Sequence, residues 1–137
     1  MTLLELLNKD DHMAAANGMQ LTEIREGFAK AEMDVETRHL NGGGVCQGGC
    51  LFTLADLAVA GVMNSQGLLT VGIENTIAFH NSGKLGDHLV AEATLTFSHH
   101  KLPYCEVHIS NQEGSLIASC TALSYRKTAE LAFDALM

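Results

Sequence analysis

An α+β fold, one long buried helix laid against an antiparallel sheet, is what three features of this sequence predict. The first is the stretch from His39 to Gly67, in which a glycine-rich loop leads into about seventeen residues that are apolar on every side except at Asp56. Such a run reads as a helix buried all round. The second is a set of four strand-like stretches after it, residues 69–80, 88–98, 103–111 and 115–126, with no further helical period among them. The third is a loosely alternating stretch before it, Gln20 to Glu36, which Gly27 divides into one strand or a hairpin of two. A helix this apolar needs a cover, and antiparallel strands with one apolar face supply it.

Taken in order, Leu3, Leu4, Leu6 and Leu7 open an amphipathic segment that predicts a short helix over 2–10, a packing lid that fades near Asp10 to His12. The core then spans 18–127. Gly42, Gly43 and Gly44, followed by Gly48 and Gly49, lead into the central helix, and Asn64-Ser65-Gln66-Gly67 closes it, Gly67 suiting the left-handed position beyond a last turn. Turn residues separate the later strands: Asn81-Ser82-Gly83 with Gly86-Asp87, then His99 to Pro103, then Asn111 to Gly114. Thr94, Phe97, Tyr104, Val107, Ile109, Ile117 and Tyr125 give those strands their β-branched and aromatic content. The last ten residues predict a terminal helix over 128–137 with Thr128 as its N-cap. The order of elements reads as one domain, 1–137, with a four-stranded meander. One helix covers only part of one face of such a sheet, so the exposed face and edges favour self-association.

Composition narrows the functional classes. At 47% hydrophobic residues the chain has enough apolar surface for a core, and 8 basic against 16 acidic residues leave a charge of −8. No stripe of Lys or Arg follows a phosphate backbone, which argues against nucleic acid as a partner. The N-terminus has no basic region, and no apolar run reaches a membrane span, so the reading is a soluble, cytoplasmic protein without a signal peptide. Cys46, Cys50, Cys105 and Cys120 read as reduced thiols rather than staples. Cys46 and Cys50 beside His39 raise the question of zinc, but no second ligand pair follows, so no metal or bound cofactor is expected.

The chemistry centres on Asp56. Leu54, Ala55, Leu57, Ala58, Val59 and Ala60 give it no polar company on its own helix, and a buried lone carboxylate must find a partner, raise its pKa or reach a cleft. A nucleophile or general base in a cleft fits, as does a purely structural carboxylate bonded to backbone or to another subunit. Gly48, where the helix begins, can offer its backbone amide to a carbonyl oxygen that gains charge. Gln47 beside it can orient a substrate but has no proton to shuttle at neutral pH. Eight residues of helix separate Gly48 from Asp56, roughly 12 Å of rise, whereas both groups must act within about 3 to 3.5 Å of one carbonyl. Serving one site therefore requires Gly48 of one subunit and Asp56 of another across a two-fold axis.

His39-x-Asn41, Gln47-Gly48-Gly49, Phe52-Thr53-Leu54-Ala55-Asp56, Asn64-Ser65-x-Gly67 and Gly86-Asp87-x-Leu89 together resemble the hotdog-fold acyl-CoA thioesterases of the phenylacetate-degradation (PaaI) type. The likeness spans residues 39–126. It implies a central helix wrapped by a curved antiparallel sheet, paired into dimers and often into tetramers, and an acyl-CoA or aryl-CoA substrate rather than a bound cofactor. It further implies Asp56 as the catalytic carboxylate, Gly48 as the oxyanion amide, Asn41 as a polar lining residue, and Gly49, Asn64 and Ser65 as substrate contacts. Gln47 stands where the family usually has the orienting histidine. The strand hydroxyl of related enzymes falls at Gly72, which leaves its water-holding role without an owner. Two other classes compete: a hotdog enoyl-CoA hydratase, against which the lack of a histidine near Asp56 argues, and a non-catalytic acyl-CoA-binding protein, which the glutamine at position 47 keeps open.

Overall fold

The computed structural model describes all residues, 1–137. Its six strands are β1 (Gln20–Arg25), β2 (Phe28–Asp34), β3 (Leu68–Phe79), β4 (His88–Phe97), β5 (Tyr104–Ser110) and β6 (Leu116–Glu130). They form one antiparallel sheet in the order β1-β2-β4-β5-β6-β3. The central helix α3 (Gly48–Asn64) touches all six strands, so the sheet curls around it, as the resemblance implies.

Small residues make that close approach possible. The inner face of the sheet is carried by Ala29, Ala31, Ala91, Ala93, Ala118 and Ala122, with Cys105 and Val107 between them, all buried. On the helix, Gly61 is the point of closest contact: a Cβ built there lies 2.9 Å from the Ala29 Cβ and 2.9 Å from the Leu21 Cδ2. The Leu21 methyl can swing aside, but the Ala29 Cβ is fixed to its strand. Gly61→Ala therefore overpacks the helix–sheet seam by more than alanine's helix propensity returns. The expected loss is about 1 to 3 kcal/mol, read as a fall in Tm of several degrees in a thermal melt followed by circular dichroism.

The N-terminal segment forms two helices rather than one, α1 (Leu3–Asp10) and α2 (His12–Ala16). Thr2 and Glu5 cap the first reciprocally: Thr2 Oγ1 accepts from the Glu5 amide at 3.1 Å and Glu5 Oε2 from the Thr2 amide at 3.0 Å. Asp11 then caps the second through the Ala14 amide. The Asn8 side chain bonds both backbone groups of Leu21, at 2.9 and 2.8 Å, and ties α1 to β1.

Two expectations are corrected. The strands after α3 are not a four-stranded meander: β4, β5 and β6 run as one, but β3 pairs with β6 and lies at the far edge. Nor does the terminal helix over 128–137 form. Residues up to Glu130 extend β6 against Leu68 of β3, and the tail beyond is held by backbone bonds from Leu3 to Ala135, Leu4 to Leu136 and Leu131 to Gly67. Leu131, Phe133 and Leu136 pack on the core in that extended form, and these tertiary contacts override the helix propensity of Ala, Leu and Glu. No helix is long and apolar enough to cross a membrane.

Candidate active site

The loop before α3 is built so that the helix begins with bare amides. Asn41 Oδ1 accepts from the Gly43 and Val45 amides at 2.9 and 3.3 Å, and Asn41 and Val45 close the turn with a backbone bond of 2.8 Å. The Cys46 amide is anchored on the Gly83 carbonyl and the Gln47 amide on the His39 carbonyl, so the chain arrives at α3 held on both sides. Gln47, the N-cap, makes no side-chain cap bond, and the amides of Gly48 and Gly49 have no preceding turn to bond. A Cβ at position 48 would lie 2.9 Å from the Cζ of the exposed Phe79 ring, so a larger residue there has to push that ring aside.

Asn41, Gln47 and Gly49 line one cavity of about 600 Å³ together with Met13, Met19, Leu40, Cys50 and Thr53. Asp56 lies in an adjoining cavity of about 380 Å³ with Asp11, Phe52 and Asn75, and Met13 and Thr53 border both. The two form a groove along the face of α3 that carries Gly49, Thr53 and Asp56. Asp56 is exposed at the groove in the single chain. Even so, the protein packed around the rest of its side chain dominates: burial raises its pKa above the ordinary carboxylate value, against the hydrogen bond that Asn75 Nδ2 donates to its Oδ1 at 3.3 Å, and the Asp11 carboxylate adds to the rise.

Two residues expected at the substrate lie elsewhere. Asn64 and Ser65 are at the far end of α3 and line neither cavity. Asn64 is buried, donating to the Ala60 carbonyl at 2.8 Å and accepting from the Thr70 amide at 2.8 Å, while Ser65 donates to the Val62 carbonyl. They cap the helix and start β3, the work of short polar side chains at helix ends. His39 is also structural. Its Nδ1 accepts from the Glu36 amide and its Nε2 faces the Asn17 carbonyl, each at 2.9 Å, so the ring is neutral with the proton on Nε2 and has no free nitrogen. Cys46 is buried, and donation to the Cys50 thiol, followed by burial, pushes its own thiol up, which makes it a poor nucleophile.

The thioesterase superfamily model matches residues 43–118, more than half of the chain, from the glycine loop through α3 into β6. The chain belongs to the thioesterase superfamily. Among relatives in this superfamily, the acyl-coenzyme A thioesterase PaaI of Escherichia coli is 37% identical over 118 residues, which are 86% of this chain and 84% of that protein. The structure of E. coli PaaI, from the phenylacetic acid degradation operon, superposes with a TM-score of 0.91, covering 95% of this chain and 94% of that one at 34% identity. A protein of Archaeoglobus fulgidus is 36% identical over 122 residues, 89% of this chain and 79% of its own length. A hypothetical thioesterase protein from Streptococcus pneumoniae, solved with coenzyme A, is 28% identical with a TM-score of 0.78, over 84% of this chain and 92% of that one. The superfamily fold is the hotdog, a curled sheet around α3, and the groove of this thioesterase-superfamily protein runs along the exposed face of that helix.

One groove residue escaped the sequence reading: Asn75, on β3, which lines the cavity beside Asp56 and donates to its carboxylate. A lone asparagine among strand-forming residues is an unusual choice, and that was the available signal.

Proposed function

We propose that this protein hydrolyses acyl-CoA or aryl-CoA thioesters, the Gly48 amide of one subunit holding the carbonyl oxygen and Asp56 of another attacking the carbonyl or activating water. The observation that carries the reading is a carboxylate of raised pKa in a groove that continues to uncapped helix amides. The amide stabilises the oxygen as the carbonyl becomes tetrahedral, and the carboxylate supplies either the nucleophile or the base. Gln47 and Asn41 line the oxyanion end with neutral amides, and Gly49 makes room for the Gln47 amide, whose Oε1 lies 2.7 Å from where a Cβ at position 49 would be.

Pairing with a second copy supports the shared site. β3 bonds only to β6, so its other edge is free over 12 residues, with Ile73 and Phe79 each 54% exposed. A long apolar free edge invites another strand. Asn75 and Phe79, the residues of β3 that touch Asp56 and Gly48, are four positions apart, roughly 13 Å of strand, close to the separation of Gly48 and Asp56 along the helix. A two-fold axis near Phe52 and Ile77 therefore extends the sheet and completes two sites at once. A homotetramer would then be a pair of such dimers. Four free thiols, three of them buried, suit a reducing compartment such as the cytoplasm.

The direct test is release of free thiol from a panel of acyl- and aryl-CoAs, with the acid product measured alongside. Equal amounts of thiol and acid are expected. Binding of acyl-CoA without thiol release would make the protein an acyl-CoA carrier instead.

The pH profile follows from the groups at the site. Activity needs ionised Asp56, so it should rise with pH through that carboxyl's elevated pKa and then level off through neutrality, because Gln47 does not titrate. Gln47→His should add a second inflection near the unperturbed histidine pKa of about 6.5. A bell-shaped profile in the unaltered protein would show that another ionising group acts at the site.

A further inference from the structure

We propose that Cys46 and Cys50 form a redox switch at the start of α3: a small-molecule disulfide reacts at Cys50, Cys46 closes the crosslink, and the oxidised turn withdraws the Gly48 amide from the substrate. The crosslink stands apart from the thioesterase reading, and its effect on turnover rests on that reading.

The two thiols meet at the first turn of α3. Cys46 Sγ lies 3.9 Å from the Gln47 carbonyl oxygen, and that same oxygen accepts the Cys50 amide at 2.9 Å. The Cys46 thiol donates to the Cys50 sulfur, whose other neighbour is Met33 Sδ at 3.9 Å. Their surroundings differ as those of a reacting and a resolving thiol must. Cys50 is half-buried and lines the cavity of about 600 Å³, so it is the thiol that faces the groove. It is also the third residue of a 17-residue helix, where the positive end of the helix dipole favours a thiolate. Donation from Cys46 lowers its pKa, burial opposes that, and the Arg38 guanidinium on the same cavity adds to the fall, although Arg38 also pairs with Glu36 at 2.8 Å. Cys46, by contrast, is 4% exposed and lines no part of the cavity. The other two cysteines, Cys105 and Cys120, are buried and pushed up to about 12 and about 11, chiefly by burial, so they remain protonated.

The Cys50 thiolate attacks one sulfur of the small disulfide. The S–S bond breaks with its pair on the departing sulfur, and that thiolate takes up the proton that Cys50 had given to solvent. In the mixed disulfide Cys50 is no longer a thiolate, so the Cys46 proton loses the acceptor that held it. Cys46 Sγ then attacks Cys50 Sγ, and the second small thiolate leaves with the Cys46 proton. Two protein thiols are oxidised to one disulfide, and one small disulfide is reduced to two thiols. The protein sulfurs begin in contact, so the second step is intramolecular and fast relative to attack by another small molecule.

Closing the bond brings the sulfurs inside contact distance, and one segment must move. Cys46 is the fixed one. Its amide is bonded to the Gly83 carbonyl at 2.7 Å, it bridges to Leu40, and it packs so closely on Gly83 that a Cβ there would lie 3.1 Å from the Cys46 Cβ. The turn that carries Cys50 has Gly48 and Gly49 as its first residues and yields more easily. The crosslink spans those two glycines, so the amide proposed for the oxyanion moves with it. Transient, redox-sensing disulfides of this kind are compatible with a reducing compartment.

The folded protein is treated with 2-hydroxyethyl disulfide and the excess is removed. Trypsin separates the cysteine pairs, since residues 39–84 carry Cys46 and Cys50 and residues 102–126 carry Cys105 and Cys120. Free thiols should fall from four to two, with peptide 39–84 lighter by two hydrogens and peptide 102–126 unchanged. Followed by the acid product, kcat should fall at least about tenfold, the scale of a small misplacement of a catalytic group. Dithiothreitol should restore it. Cys46→Ser should stop at a mixed disulfide on Cys50, one mercaptoethanol unit heavier, and Cys50→Ser should take up no such unit at Cys46. Four thiols remaining in the unaltered protein, an adduct at Cys46 in Cys50→Ser, or a completed crosslink that leaves kcat unchanged would overturn the proposal. If the reduced protein forms no acid from any acyl-CoA, the thioesterase reading has failed. The thiol count and the trapped mixed disulfide need no substrate, so they decide the crosslink in either case.

Discussion

Asp56→Asn should give a folded oligomer that hydrolyses acyl-CoA at least about a hundredfold more slowly in kcat, the low end for loss of a general base. The substitution is nearly isosteric, and the new amide oxygen can still accept from Asn75 Nδ2, so the local geometry has no reason to collapse. Stability should move the other way from activity. An acid whose pKa is raised in the folded state holds its proton more tightly there than in the unfolded chain, so stability falls as pH rises from the unfolded value toward the folded one. At neutral pH the folded protein therefore bears the cost of an ionised Asp56, and replacing it by a neutral amide should hold or raise Tm. Lost activity with a maintained or higher Tm is the signature of a residue kept for chemistry. Lost activity with a lowered Tm would mean a structural carboxylate.

The second large effect is expected at Gly48. Gly48→Pro removes the amide proposed to hold the oxyanion, and loss of one such donor costs about a hundredfold to a thousandfold in kcat. The backbone is ready for proline: Gly48 is the first helical residue, and Gln47 before it is extended at φ −65° and ψ 139°, the conformation a following proline demands. The cost is a contact with the Phe79 ring, 2.9 Å from a Cβ at position 48. Gly48→Ala creates the same contact but keeps the N–H. Activity lost in Gly48→Pro and largely kept in Gly48→Ala therefore assigns the effect to the amide. Equal losses in both would assign it to a displaced Phe79.

The helix α3 was legible because nothing else explains an apolar run bounded by Gly-Gly and by Asn-Ser-Gln-Gly, and Asp56 stood out against it. The strands were legible within a residue or two at most ends, since turn residues mark them. Strand order was not: β3 looks like any neighbour of β4, and only the curl of the sheet around α3 sends it to pair with β6. The tail Thr128 to Met137 misleads by composition, because its Ala, Leu and Glu favour helix while backbone bonds to Leu3, Leu4 and Gly67 hold it extended. Asn64 and Ser65 mislead in the same way. A polar pair after an apolar helix reads equally as ligand contact or cap, and only the bonds to Ala60, Val62 and Thr70 decide for the cap. Asn75 lies 19 residues from Asp56, and no helical or strand periodicity links the two.

Mixing the two inactive chains tests the shared site most directly. Asp56→Asn chains keep the Gly48 amide, and Gly48→Pro chains keep the Asp56 carboxylate, so each mixed dimer rebuilds one complete site. After demonstrated subunit exchange at equal amounts, about a quarter of the sites should be complete, and activity should return toward that fraction of the unaltered protein's. A mixture that exchanges subunits and remains as inactive as its components would contradict a site made from two chains.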